Sequence, residues 1–208
     1  SELWSLYGQN YIDALLATWG MTLESFAIAM VLAVAVTVMR VSPLKPLRVF
    51  GDLYVQVFRN IPGIALLIIV VYALPPLKVV LPYRTCVIVA TVLLGSAFGS
   101  ENFMSGINTV GVGQVEAARS LGMSFSRILA KIVIPQALRS SVLPMTNLFI
   151  AVMLTTALGS QVPLQPQELT GVVSYINTRS LGGVAAFFIS ALGYLGTAFV
   201  VSHIGNYI

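Results

Sequence analysis

A short charged segment stands out in a chain that otherwise avoids charge. Residues 113–136 read GQVEAARSLGMSFSRILAKIVIPQ and carry the ionisable side chains Glu116, Arg119, Arg127 and Lys131. Of the 208 residues, 57% are hydrophobic and 9% are charged, whereas ordinary soluble domains have roughly 25% charged residues. Because charge is unfavourable inside a bilayer, this segment is predicted to lie outside the lipid and to bind a soluble partner.

The composition does not indicate chemistry performed by the side chains themselves. One histidine, His203, and one cysteine, Cys86, supply no metal-ligand cluster, disulfide framework or catalytic constellation. The mean hydropathy of +0.91 is typical of an all-α integral membrane protein. In such a chain the net charge of +4 reflects basic loops that set membrane orientation, so it does not indicate a nucleic-acid partner.

The charged segment divides at Gly122 into two predicted helices. Residues 114–121 form the first, with Glu116 in its first turn, where free amide groups favour a carboxylate. Gly122 ends this helix, because glycine adopts a positive φ without steric cost. Ser124 caps a second helix over residues 125–133, which Pro135 ends or bends. Basic side chains surround an apolar ridge on this second helix, suited to a groove on a partner: Phe125, Ile128, Leu129 and Ile132.

Five stretches are long and apolar enough, or nearly so, to cross a bilayer, which takes about 20 helical residues. They are predicted within a single transmembrane domain covering residues 1–208, at about 15–39, 53–74, 85–104, 137–158 and 184–204. The third is the weakest, because its apolar part ends by Gly99 and Glu101 follows. Gly95 and Gly99 form a small-residue face that permits close helix contact.

Loop charge predicts the orientation of these spans. The connections after the first and third spans carry most of the basic residues, namely Arg40, Lys45, Arg48, Arg119, Arg127, Lys131 and Arg139. By the positive-inside rule both connections are cytoplasmic, so the N-terminus faces out and the C-terminus faces in. Within the outer segment of about residues 160–183, apolar residues at helical spacing predict a short amphipathic helix after Pro166, either a surface cap or a gate or docking surface.

The charged segment resembles the EAA motif of ABC importer permeases. That motif reads EAA, three residues, G, nine residues, I, one residue and LP, and here only Ile134 departs from it by replacing the leucine. The resemblance implies a type I ABC importer permease fold with five transmembrane helices, and it places a coupling loop of about residues 106–135 in a cleft of an ATPase. The residues it assigns to ATPase coupling are Glu116, Ala117, Ala118, Arg119, Gly122, Ile132 and Pro135.

The resemblance extends over nearly the whole chain. VFRNIPGIALL, GINTVGVGQVEAARSLG and IPQALRSSVLPMTNLFI are similar to segments of polar-amino-acid permeases, and RVSP, FRN and SGINTV are most similar to glutamate-type permeases of high-GC Gram-positive bacteria. This implies a multi-pass subunit of a bacterial cell membrane, without enzymatic activity or a cofactor of its own. The implied partners are a second permease, an external binding protein, membrane lipid and an ATPase dimer that binds ATP and Mg. Glutamate is the first substrate expected, with glutamine, aspartate or a basic amino acid left open.

Polar groups inside membrane helices are candidates for contact with a transported solute. For Arg59 an anchor to lipid headgroups is the alternative. Pro62 frees a backbone carbonyl, and discontinuous helices often line transport sites. Glu101 is predicted to pair with Arg59 or with a loop arginine. The candidates for the substrate pathway are Arg59, Asn60, Glu101, Asn147, Thr155 and Thr156.

Leu154 is the main departure from the family pattern. Relatives commonly carry a lysine at this position, and a leucine side chain cannot bind a carboxylate as an ammonium does. One hypothesis is an asymmetric heterodimer, in which a sister permease supplies the main site and this chain closes the pore. The alternative is a site rebuilt from Asn147, Thr155 and Thr156, compatible with a homodimer. An ion-coupled secondary transporter is a distant alternative, because the spans lack a paired acidic relay.

Overall fold

The computed structural model describes residues 2–180 and 182–208, which fold into ten α-helices joined by loops and by short π- and 3-10-helical turns. The π-helical turns cover Ile69–Ala73 and Leu129–Val133, and the 3-10 turns cover Pro75–Leu77 and Thr156–Gln161. The α-helices, in chain order, are α1 (Glu2–Val41), α2 (Lys45–Asn60), α3 (Gly63–Ile68), α4 (Tyr83–Ile107), α5 (Val112–Ser120), α6 (Phe125–Ile128), α7 (Ile134–Ser140), α8 (Val142–Thr155), α9 (Leu169–Asn177) and α10 (Gly183–Tyr207).

Four of the five predicted spans are single long helices or nearly so, and the second is broken. α1, α4, α8 with its 3-10 extension, and α10 are long and apolar enough to cross a membrane. The predicted second span, residues 53–74, is not one continuous helix, because α2 and the segment from Gly63 to Leu77 meet at an angle of 104°. Pro62 explains the break, since it drives Ile61 into an extended conformation with φ −89° and ψ 132°.

The ends of the bundle are named here by two arginines. The Arg40 end is where α1 and α4 finish and where α5 and α6 lie, and the Arg84 end is the opposite one, where α4 begins. Arg84 donates two hydrogen bonds to the Glu24 carboxylate, at 2.7 and 2.8 Å, and so joins α4 to α1 there.

α1 is much longer than the sequence predicted, since it begins at Glu2 rather than near residue 15. Its 40 residues span about 60 Å, twice the thickness of a hydrocarbon core. The early turns of α1 pack against α9 and α10, where Tyr11 and Ala14 share a buried cluster with Val172 and Ala186. The Tyr11 hydroxyl also donates to the Ala186 carbonyl oxygen at 3.1 Å. The extra length therefore holds the predicted amphipathic helix, observed as α9, against the bundle.

α4 was predicted to be the weakest span, yet it is the most buried of the long helices and packs closely on α1. A Cβ atom added at Gly99 would lie 2.9 Å from the Ala33 Cβ, and one added at Gly95 would lie 3.3 Å from the Ala29 Cβ. Small residues four apart on both helices thus face one another. The predicted small-residue face is confirmed, and α4 continues past Glu101 to Ile107.

Gly99→Ala tests this contact. We expect it to destabilise the chain by about 1–2 kcal/mol, because the added methyl group overpacks the interface with Ala33. Gly196→Ala on α10 is the matched control, since a Cβ there meets nothing within 4 Å and alanine favours the helix by about 1 kcal/mol. In thermal unfolding in detergent, the midpoint should fall for Gly99→Ala but not for Gly196→Ala. Equal midpoints for the two variants would argue against the close packing.

The predicted fourth span, residues 137–158, is also divided differently. Pro135 does not end the second helix of the charged segment: the chain continues from α6 through the π-helical turn Leu129–Val133 into α7. Pro135 stands in the first turn of α7, where a missing N–H group is tolerated. The long apolar helix then begins at Val142, and its 3-10 extension ends at Gln161.

Candidate coupling surface and transport cleft

The two turn signals of the charged segment are confirmed. Gly122 has a φ of +76°. Its N–H donates to the Arg119 carbonyl oxygen at 2.9 Å, and the Met123 N–H donates to the Ala118 carbonyl oxygen at 3.1 Å. These are the two hydrogen bonds of a Schellman motif, which ends α5. The Ser124 hydroxyl accepts a long hydrogen bond from the Arg127 N–H, at 3.4 Å, and caps α6.

α5 and α6 enclose a small apolar core of their own. Ala118 is 4% exposed and packs with Ile128, and partly buried Leu129 and Ile132 cover the cluster. The predicted apolar ridge is therefore largely buried within the hairpin, and of its members Phe125 alone is exposed. The prediction of an exposed apolar ridge is wrong except at Phe125, because the other side chains stabilise the hairpin instead.

The exposed side chains of the hairpin form what we call the coupling surface. Glu116, Ala117 and Arg119 are exposed on α5, and Leu121, at the end of the helix, is 83% exposed. Gly122 and Pro135 are also exposed, Ile132 is half-buried and Ala118 is buried. Glu116 does not lie in the first turn, because α5 begins at Val112 rather than at residue 114. A rigid turn that displays charge beside an exposed leucine is suited to docking on another protein.

Gly122→Ala tests the turn. Open space surrounds the position, so the expected effect comes from the positive φ alone and amounts to about 1 kcal/mol of local stability. Amide hydrogen exchange of Met123 should become faster as its bond to Ala118 opens more often. Gly113→Ala is the control, because it has the same open surroundings without a positive φ. An unchanged exchange rate of Met123 in Gly122→Ala would contradict the need for glycine at this positive φ.

Charged side chains of α1, α2 and α4 form a linked network at the Arg40 end. Arg40 contacts Asp52 and Glu101, each at 2.9 Å, and Arg59 contacts the other oxygen of Glu101 at 3.4 Å. The Arg40 side chain is 11% exposed, whereas that of Arg59 is 44% exposed. The sequence left two partners open for Glu101, Arg59 or a loop arginine, and both contacts are present.

An open cleft of about 630 Å³ lies between the break after α2 and the end of α8. Its lining includes the polar side chains of Arg59, Thr155 and Gln161, and also the apolar side chain of Leu154. The Thr155 hydroxyl donates to the Ala151 carbonyl oxygen at 2.7 Å, which leaves its oxygen free to accept. Two of the candidate pathway residues, Arg59 and Thr155, thus face one cleft.

The other candidates lie apart from that lining. Thr156 is fully buried, and its hydroxyl donates to the Met153 carbonyl oxygen at 2.6 Å. Asn147 is exposed on α8, about 12 Å along the helix from Thr155. The exposed Asn60 amide donates to the Gln56 carbonyl oxygen at 2.7 Å. The arrangement does not form the rebuilt site of Asn147, Thr155 and Thr156, because these side chains point to different surroundings.

Glu168 is a structurally important residue that sequence reasoning missed. It is fully buried and caps α9: its carboxylate accepts the N–H groups of Thr170 and Gly171, each at 2.6 Å, and the Tyr194 hydroxyl at 3.2 Å. Burial raises the pKa of Glu168 above its ordinary value, against the opposing effect of the amide hydrogen bonds. The available signal was its position directly before an apolar helical pattern, but glutamate is not among the preferred capping residues.

Glu168 also lies where three helices meet. The N–H of Leu169 donates to the Thr18 hydroxyl of α1 at 3.1 Å, while Tyr194 belongs to α10. α9 is therefore tied to both long helices at its first turn. Of the interpretations that the sequence left open for this helix, these contacts fit the surface cap better than the gate.

Comparisons with known proteins agree with this architecture. The glutamate transport system permease protein GluC of Corynebacterium efficiens is 33% identical over 207 residues, which cover 94% of this chain and 90% of that protein. The L-cystine transport system permease protein TcyB of Bacillus subtilis is 32% identical over 193 residues, covering 90% of this chain and 81% of that protein.

A solved structure and a family model also agree with this architecture. A crystal structure of an amino acid ABC transporter with histidines superposes with a TM-score of 0.89 at 25% identity, covering 98% of this chain and 94% of that one. The fold is the type I ABC importer permease fold. A family model described as the binding-protein-dependent transport system inner membrane component matches residues 25–207. The chain therefore belongs to the family of inner membrane components of binding-protein-dependent transport systems.

Proposed function

We propose that this chain is the pore-forming permease subunit of an ATP-driven importer for a polar amino acid, with glutamate as the first candidate. The observation that carries the proposal is the coupling surface, where a Schellman turn holds Glu116, Arg119 and Leu121 exposed on a compact hairpin. Permeases named for glutamate, cystine and glutamine transport are similar to the chain. They support an amino-acid substrate, and the glutamate permease match has the greatest coverage of these three.

The subunit performs no chemistry of its own in this proposal. A dimeric ATPase binds ATP and Mg and receives the coupling surface in a cleft, and an external binding protein delivers the amino acid. Closure of the ATPase moves the hairpin and opens the paired permeases alternately to the two sides of a bacterial cell membrane. The basic residues at the Arg40 end support a cytoplasmic location for that end, with the N-terminus outside and the C-terminus inside.

The second permease is proposed to be a non-identical sister subunit. Leu154 lines the cleft at the position where the resemblance to polar-amino-acid permeases implies a lysine, and Thr156 is turned into the bundle. α8 therefore offers no ammonium group to a carboxylate, and the sister subunit supplies that contact. Leu154→Lys should leave the substrate affinity of the assembled complex unchanged. A rise in affinity would instead favour a symmetric pair of sites.

ATPase activity of the reconstituted complex tests the function and identifies the substrate. Binding protein loaded with glutamate, glutamine, aspartate, cystine or arginine is titrated in turn, with unloaded binding protein as the control. We expect the loaded form to stimulate ATP hydrolysis, most strongly with the transported amino acid. Purification without any stoichiometric ATPase would contradict the importer and would suit an ion-coupled carrier.

A further inference from the structure

Arg59 differs from the other basic residues of the Arg40 end in facing the transport cleft. Among the described residues that line this cleft, Arg59 is the only one with a charged side chain. It lies in the last turn of α2, where the helix C-terminus favours a cation. A guanidinium group presents several N–H donors in a planar fork that matches the two oxygens of a carboxylate.

The contact that holds Arg59 is weaker than the neighbouring ones. Its distance to Glu101 is 3.4 Å, whereas charge-assisted hydrogen bonds are usually about 2.7–2.9 Å long. Exposed ion pairs of this kind contribute little stability, because water screens them. Arg59 can therefore leave Glu101 at a small cost in free energy.

Glu101 does not lose its pairing when Arg59 leaves. Its other oxygen stays 2.9 Å from the nearly buried Arg40, which also contacts Asp52 at 2.9 Å. Without Arg59, the group of Asp52, Arg40 and Glu101 keeps both of its ion pairs and carries a net charge of −1, which water can solvate at the 58% exposed side chain of Asp52. Arg59 is free to accept a different anion from the cleft.

We propose that Arg59 binds the carboxylate group of the transported amino acid that the sister subunit does not hold, exchanging its contact with Glu101 for one with the substrate. This inference rests on the proposed function and extends it, since the chain then contributes a cation to the pathway besides closing the pore. Leu154 provides no cation in the cleft, and Thr155 can accept a hydrogen bond from the ammonium group of the same amino acid.

Equilibrium binding of L-glutamate to the purified permease–ATPase complex, without binding protein, tests the exchange. Arg59→Gln should raise the Kd roughly 10- to 100-fold, as expected when a charged hydrogen-bond donor to a carboxylate is removed. Arg59→Lys should retain part of the affinity. Glu101→Gln should leave the Kd unchanged or lower it, because it removes the competing anion. A purely structural ion pair would instead make Arg59→Gln and Glu101→Gln weaken binding alike.

Arg48→Gln is the matched control. Arg48 lies on the same helix but donates to the carbonyl oxygens of Ser42 and Pro43 rather than lining the cleft, so its loss should not change the Kd. An unchanged Kd in Arg59→Gln, or no saturable binding in the wild-type complex, would overturn the role of Arg59 even if ATP-driven uptake proceeds. A wild-type complex that takes up no amino acid with any loaded binding protein would instead overturn the proposed function.

Discussion

Glu116→Lys is expected to lower ATP-driven uptake at least tenfold while the helical bundle stays folded. The side chain is exposed, so its replacement removes no buried contact. At a docked interface, however, charge reversal places like charges together at a cost of several kcal/mol. Uptake and ATP hydrolysis of the reconstituted complex measure the effect, and the unfolding midpoint in detergent checks the fold.

Asp13→Lys is the control for this charge reversal. Asp13 is exposed on α1, in the part of the helix distant from the coupling surface, and accepts a hydrogen bond from Gln9 at 2.9 Å. The Asp13→Lys substitution should leave binding of the ATPase intact. Normal uptake in Glu116→Lys would remove the coupling surface from the transport mechanism.

Gly106→Ala is expected to destabilise the chain by about 3 kcal/mol, the upper part of the range for overpacking. The added Cβ would lie 2.5 Å from the Ser141 hydroxyl oxygen and 2.6 Å from the Ala137 carbonyl oxygen. A carbonyl group in a helix cannot move aside as a flexible side chain does. The contact between α4 and α7 must therefore open, and the unfolding midpoint of the purified chain should fall.

Gly111→Ala separates this packing effect from a general effect of replacing a glycine, because Gly111 lies only five residues further along the chain, just before α5. A Cβ at Gly111 meets nothing within 4 Å, and the expected change is less than about 0.5 kcal/mol. If Gly106→Ala and Gly111→Ala have the same unfolding midpoint, the close approach of α4 and α7 does not limit stability.

Local signals in the sequence predicted the hairpin well. Gly122 and Ser124 act through their own backbone and nearest neighbours, so their types and spacing were sufficient to predict a turn and a cap. The environment of the apolar residues was not predictable in the same way. Ile128 has helical spacing whether it faces a partner or α5, and the tertiary packing decides which face is buried.

Span boundaries show the limit of counting apolar residues. The run over residues 53–74 is apolar enough for a helix, but the conformation forced on Ile61 by Pro62 separates α2 from α3. Conversely, α1 extends to Glu2 through polar residues such as Gln9 and Asn10, because contacts with α9 and α10 stabilise its early turns. The spacing of apolar residues in the sequence gives no information about those long-range contacts.

The candidate pathway was predictable as a set of polar residues but not as a surface. Intramembrane polarity identified Arg59, Thr155 and Thr156 equally, although only the first two face the cleft. The burial of Thr156 depends on the rotation of α8 and its 3-10 extension. Pairing of Glu101 was predictable, because an isolated carboxylate near basic loop residues needs a partner.

Site-directed cross-linking between the hairpin and the ATPase is the most direct test of the coupling surface. In a Cys86→Ser background, Leu121→Cys and Leu77→Cys place single thiols at side chains that are 83% and 72% exposed, the first on the hairpin and the second at the Arg84 end. A hairpin docked on the ATPase predicts that a short thiol-to-amine reagent links only the Leu121→Cys chain to the ATPase, and more strongly when ATP closes the ATPase dimer. An ATP-hydrolysing complex in which neither position, or only the Leu77→Cys position, links to the ATPase would contradict the coupling role.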